Sequence, residues 1–248
     1  MNTFVYIFSA MKGKIITFSN FILILVVFAT IFTSCKKDTI VPDTEIDYSY
    51  VNHTIGNWIE YDVTEITIDK ASDVYDTTHY YIKEIVTEKF IDLSDNESNR
   101  IERFIRYNTN SNWIIKDVWS AQIVENSYQK VEEDVRFKRL VFPSDSGKTW
   151  NGNIFNTLDE QNYVITSVDE YEIVNSLAFD SVLTVTQANE LNLIEKNYAI
   201  EKFAKNIGLI YKENCYIYSN EVDPGKPIEQ RATLANILIM KVISYGSN

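Results

Sequence analysis

Catalysis and metal binding need particular side chains, and this chain supplies them unevenly. It holds 35 carboxylates but only two histidines, His53 and His79, and two cysteines, Cys35 and Cys215. Zinc centres and Ser-His-Asp catalysis are therefore poorly provided for. No GxSxG, HExxH or GxGxxG motif occurs. Glycoside cleavage needs two carboxyl groups about 5–9 Å apart with pKa values pushed apart by their surroundings. Asp117, Glu170 and Glu172 are candidates, each with the simpler reading of a solvated strand residue. Asp92, Asp95 and Glu97 in "DLSDNES" could gather around calcium, but the glycine and terminal glutamate of an EF-hand are missing. No metal or other cofactor is expected. "SGKT" (146–149) matches the tail of a phosphate-binding loop, but Phe142 stands where its first glycine belongs and Pro143 removes an amide donor. It reads as a turn.

The more informative spacing is Trp113, Ile115, Asp117, Trp119. In a regular strand these four share one face, with the tryptophans about 20 Å apart. An open face of this kind could stack sugars or line an apolar groove, and Trp113, Asp117 and Trp119 are the candidate ligand surface. The alternative is a core face with Asp117 as its anomaly.

At the N-terminus, Phe21 to Phe32 is apolar apart from Thr30. Twelve helical residues span about 18 Å, short of a bilayer core of about 30 Å. Lys12 and Lys14 precede the run, and no acid occurs before Cys35. A basic start, a short apolar run and small residues before a cut point describe an export signal. Thr33-Ser34-Cys35 resembles the lipobox of Gram-negative bacterial lipoproteins, with Phe32 in place of the usual aliphatic residue. That resemblance implies cleavage before Cys35, lipid attachment there, and a protein held by acyl chains. No aspartate follows Cys35 directly, so an outer-membrane anchor is expected, with the domain on the periplasmic or the cell-surface face. The phrase "FAKNIGLIYKE" also resembles a hairpin edge of all-β envelope lipoproteins.

Losing Lys12 and Lys14 with residues 1–34 takes the formal charge from −12 to −14. So acidic a chain repels phosphate backbones, and no nucleic-acid partner is expected. With Cys35 lipidated, Cys215 in "NCYIYSN" has no partner and reads as a small buried thiol.

Residues 35–54 are polar and aperiodic, a tether behind the lipidated cysteine. From residue 55 the pattern is β almost throughout, and 55–248 reads as one domain. Ile59, Tyr61 and Val63 share a face; Ile66 and Ile68 fall on the opposite phase, which reads as a bulge. "YQKVEEDVRFKRLVF" reads as one strand, and only residues 186–196 could form a short helix. The turn-rich segment "PSDSGKTWNGN" divides two halves, 55–142 and 147–246, each opening with a glycine shortly before a tryptophan. The expected fold is all-β and antiparallel: a strongly curved sheet or half-open barrel, with a β-sandwich as the alternative. The expected function is a non-catalytic envelope lipoprotein binding an apolar ligand or a protein partner. The alternative is a glycan-binding accessory or a glycan-active enzyme.

Overall fold

Runs of Val, Ile, Tyr, Phe and Thr punctuated by short polar turns favour antiparallel pairing of sequence neighbours. The computed structural model describes residues 46–248, where 12 strands follow one another. They are β1 (Asn57–Asp69), β2 (Val74–Ile91), β3 (Glu97–Arg106), β4 (Ile114–Val124), β5 (Ser127–Glu132) and β6 (Val135–Val141). After a turn come β7 (Thr149–Asn151), β8 (Asn162–Val174), β9 (Leu177–Leu191), β10 (Glu195–Ala204), β11 (Gly208–Tyr218) and β12 (Leu234–Ser247). Spatial order is β6-β5-β4-β3-β2-β1-β12-β11-β10-β9-β8-β7, every pair antiparallel. The edges β6 and β7 meet, because Lys138 N donates to Gly152 O (2.9 Å) and Trp150 Nε1 to Lys138 O (2.8 Å). The fold is thus all-β, a single sheet curled into a half-open barrel with one seam. That seam falls at the turn-rich segment between the two expected halves.

Tight turns set the register. Glu125–Asn126, Glu133–Asp134 and Asn175–Ser176 all have positive φ at both positions, the geometry that matches strand twist across a two-residue hairpin. Glu133 and Asp134 carry no glycine, so the sequence hides this turn: "YQKVEEDVRFKRLVF" is the hairpin β5–β6, not one strand. Residues 186–196 are also strand and turn rather than helix. Asn192 Oδ1 accepts from Ile194 N and Glu195 N (both 2.9 Å), folding β9 back into β10. The change of phase after Val63 marks no bulge at that point. β1 stays in register with β2 from Trp58 to Asp69, and its shift against β12 lies at Glu60/Tyr61. Ile68 instead packs outside the wall with Cys215, Ile217 and Ala235, beneath a segment bearing Ile228 and Ala232. "FAKNIGLIYKE" forms the β10–β11 hairpin, whose strands are paired on both sides rather than lying at an edge.

Opposite walls meet inside. Val86 of β2 and Ile101 of β3 share a cluster with Leu183 and Val185 of β9 and Phe203 of β10. One end of the barrel is closed. Residues 46–52, placed in the tether by their polarity, pack across it with Tyr50 and Val51 buried. Asn206 N donates to Ser49 O (2.7 Å), Tyr50 OH to Asp169 (2.7 Å), and Tyr48 stacks edge-on against Phe142. Gly208, at φ +103°, brings the β10–β11 turn against Asn52. Asn175 Nδ2 donates to Val242 O (3.2 Å), tying the β8–β9 turn to β12.

Candidate functional site

The expected single face of Trp113, Asp117 and Trp119 does not form. A register shift sets Asp117 opposite Arg103 but Ile115 opposite Phe104, leaving Lys116 as the extra residue. This flips the alternation between Trp113 and Asp117. Trp113 lies against Arg106 (4.3 Å), which pairs across from Tyr81 and is out of phase with buried Ile82. Asp117 takes two hydrogen bonds from Arg103 Nη1 (3.1 and 2.9 Å), and that guanidinium stacks 3.4 Å from the Trp119 ring, against the core. Asp117 and Trp119 also border an outer groove of about 520 Å³ shared with Phe90, Arg100, Val118 and Glu133.

The inward phase of several strands carries charge. Glu84 of β2 binds Arg103 (3.0 Å) and Lys130 (3.1 Å). Glu132 of β5 binds Arg139 of β6 (2.7 Å), while Glu201 of β10 reaches Lys212 of β11 (3.1 Å) and Arg139 (3.5 Å). With Asp117, four acids face four bases, so the cluster is formally neutral. Burial pushes the Glu132 carboxyl up, but Arg139, Lys212 and Lys130 outweigh it and hold it well below the carboxylate range. Glu201 is lowered too, burial again being outweighed by Arg139 and Lys212. Burial also disfavours the Arg139 cation, and Glu132 and Glu201 more than compensate. Burial raises the Tyr163 phenol to about 12. Between this layer and the closed end lies a cavity of about 40 Å³, lined by Tyr61, Glu84, Tyr128 and Glu201. At about 10–15 Å³ per water centre it has room for about three or four waters.

On the other side of the layer the barrel opens into a mouth of about 360 Å³. Arg139 and Lys212 form its floor; Gln161, Gln187, Asn197, Asn214, Tyr216 and Asn236 line its walls. These side chains come from β9 to β12 and the approach to β8. Gln187 is the extra residue where β9 slips against β10, beside Ala199/Ile200, and its carbonyl accepts from Gln161 Nε2 (3.3 Å). Gln187 is only 6% exposed, yet its Nε2 has no hydrogen-bond partner, and neither has Asn214 Oδ1. At the rim, Ile154, Phe155 and Leu158 are exposed on a loop fixed by Asn153 Nδ2 to Asp159 O (2.6 Å) and Asn156 Nδ2 to Arg136 O (2.9 Å). Sequence reading missed this site. Its one signal was the phase of Lys212, Asn214 and Tyr216 with the buried Ile210.

The remaining candidates lie apart. Asp92 Oδ1 accepts from Ser94 N and Asn96 N, while Glu97 pairs with Lys89, so that loop uses its own carboxylates. Lys148 of "SGKT" donates to Pro143 O (2.7 Å) within its turn. His79 bonds Thr64 near the surface. Glu172 pairs with Lys202, and Glu170 is exposed. Burial pushes the Cys215 thiol up. Among the described residues no three His, Cys, Asp or Glu side chains gather as a metal site. Cys35 and the signal segment lie outside the described residues.

No family model and no curated protein match this chain. Among solved structures it is similar to a "putative lipoprotein" from Parabacteroides distasonis, at 10% identity and a TM-score of 0.34. That match covers 78% of this chain and 98% of the other.

Proposed function

We propose that this protein is a lipid-anchored, non-catalytic envelope lipoprotein that binds a small polar ligand in the open mouth of its barrel. The observation carrying this reading is the mouth itself: about 360 Å³ walled by the amides of Gln161, Gln187, Asn197, Asn214 and Asn236. Its size lies within the range of small-molecule pockets, roughly 300–1,000 Å³. An apolar ligand finds less support, because the inner cavity is only about 40 Å³, room for a few waters and not for an acyl chain. Catalysis also finds little support. Glu132 and Glu201 are both held ionised, so neither is a proton-loaded acid at neutral pH. The basic start, apolar run and Thr33-Ser34-Cys35 support anchoring through acyl chains at Cys35, and Lys36 in place of an aspartate after it supports the outer membrane. Residues 46–52 close one end of the barrel, and the mouth lies at the other.

The test is thermal melting of the full lipidated chain with water-soluble and lipid fractions of a host envelope extract. The water-soluble fraction should raise Tm, by about 3–5 °C where ligand stands tenfold above Kd. Asn197→Trp, which fills the mouth, should abolish the rise. A rise caused by the lipid fraction and untouched by Asn197→Trp would overturn the proposal.

A further inference from the structure

We infer that the mouth takes an uncharged, polyhydroxylated ligand, one sugar ring at the end of a glycan. This deepens the proposed function and rests on it. A hydroxyl group both donates and accepts, and the Gln187 and Asn214 amides lining the mouth do the same. A ligand that pairs them gains over one that leaves them dry. Asn197 and Asn236 add two more amides, each able to donate and accept on one side chain. Runs of neighbouring hydroxyls suit that pattern, and single-function ligands do not.

The floor argues for a ligand without charge. Arg139 and Lys212 look into the mouth, but each is already engaged: Arg139 by Glu132 and Glu201, Lys212 by Glu201 at 3.1 Å and Glu132 at 3.7 Å. A phosphate or carboxylate would meet two cations and two carboxylates together and gain no net charge. A cation would fare no better. The Tyr216 ring, 37% exposed at the wall, adds a flat apolar platform whose phenol stays in reach of water, the amphipathic surface that the carbon face of a sugar ring covers.

The experiment is saturation-transfer NMR on the full lipidated chain in a polyoxyethylene detergent, which brings no sugar with it. The probes are the methyl glycosides of glucose, galactose, mannose and N-acetylglucosamine, with inorganic phosphate as a separate competitor. At least one glycoside should receive saturation, with a Kd of about a millimolar for a ligand of roughly a dozen heavy atoms. Gln187→Leu should weaken it about tenfold. Tyr216→Ala, at an exposed position where folding is not at stake, should weaken it as well, and phosphate should not compete. Transfer that survives both variants, or that phosphate displaces, overturns the inference. If no glycoside binds while the water-soluble extract still raises the Tm of the unaltered chain and not of Asn197→Trp, the sugar class is wrong and the mouth reading stands. If neither happens, both fall.

Discussion

Glu201→Gln keeps the shape of the side chain and deletes its charge, which makes it the sharpest probe of the ionic layer inside the barrel. Glu201 is 2% exposed and holds Lys212 at 3.1 Å and Arg139 at 3.5 Å. Without its charge, Lys212 and Arg139 share Glu132, and one buried positive charge goes uncompensated. Breaking a buried pair from one side costs about 3–5 kcal/mol. For a domain of this size that is roughly 6–20 °C in Tm. Removing an acid and a base together should cost far less, so Glu201→Leu with Lys212→Met should recover most of the loss. The layer should also show in the pH profile. Glu132 and Glu201 have folded-state pKa values below their ordinary 4.5, so their stabilisation is complete above that pH. It is lost as pH falls below about 4.5 and on through the lowered folded values. Urea unfolding followed by tryptophan emission reads both effects, since Trp119 stacks on Arg103 of the same layer. A loss under about 1 kcal/mol for Glu201→Gln, or a double variant no better than the single, would refute the account of a dry, mutually dependent network.

Three further outcomes follow from packing. Gly152→Ala should destabilise by about 1–3 kcal/mol, because an added methyl would overlap the Tyr163 ring that stacks on Trp150 beside the seam; denaturant melts measure it. Tyr50→Ala should cost about 3–5 kcal/mol and speed amide exchange in the β10–β11 turn, whose Asn206 N–H is held by Ser49 O. Cys215 should resist thiol reagents in the folded protein at pH 7 and react at once in urea, since burial both covers the thiol and raises its pKa.

Strand positions were legible because alternation and turn residues act locally. The half-open barrel was legible because most of the turns are short enough to pair neighbours. Residue-level faces were less so, for reasons visible at single positions. Lys116 at a bulge separates Trp113 from Trp119, and no property of a lysine announces one. Cys215 and Ile217 look like a core face but lie outside the wall beneath Ile228 and Ala232. Their neighbours Lys212, Asn214 and Tyr216 therefore face inward despite their polarity. The ionic layer escaped because Glu132, Arg139, Glu201 and Lys212 come from four strands, and a lone charge in each reads as solvated. Only the curling of the sheet brings them together.

The most direct test of a polar-mouthed binding barrel is to watch the side-chain amide resonances of Gln187 and Asn214 during titration with the two envelope fractions. The account requires the water-soluble fraction to shift both signals saturably while the lipid fraction leaves them in place. Amide signals that ignore the water-soluble fraction, with lipid instead shifting the Tyr61 and Tyr128 ring signals at the inner cavity, would contradict it.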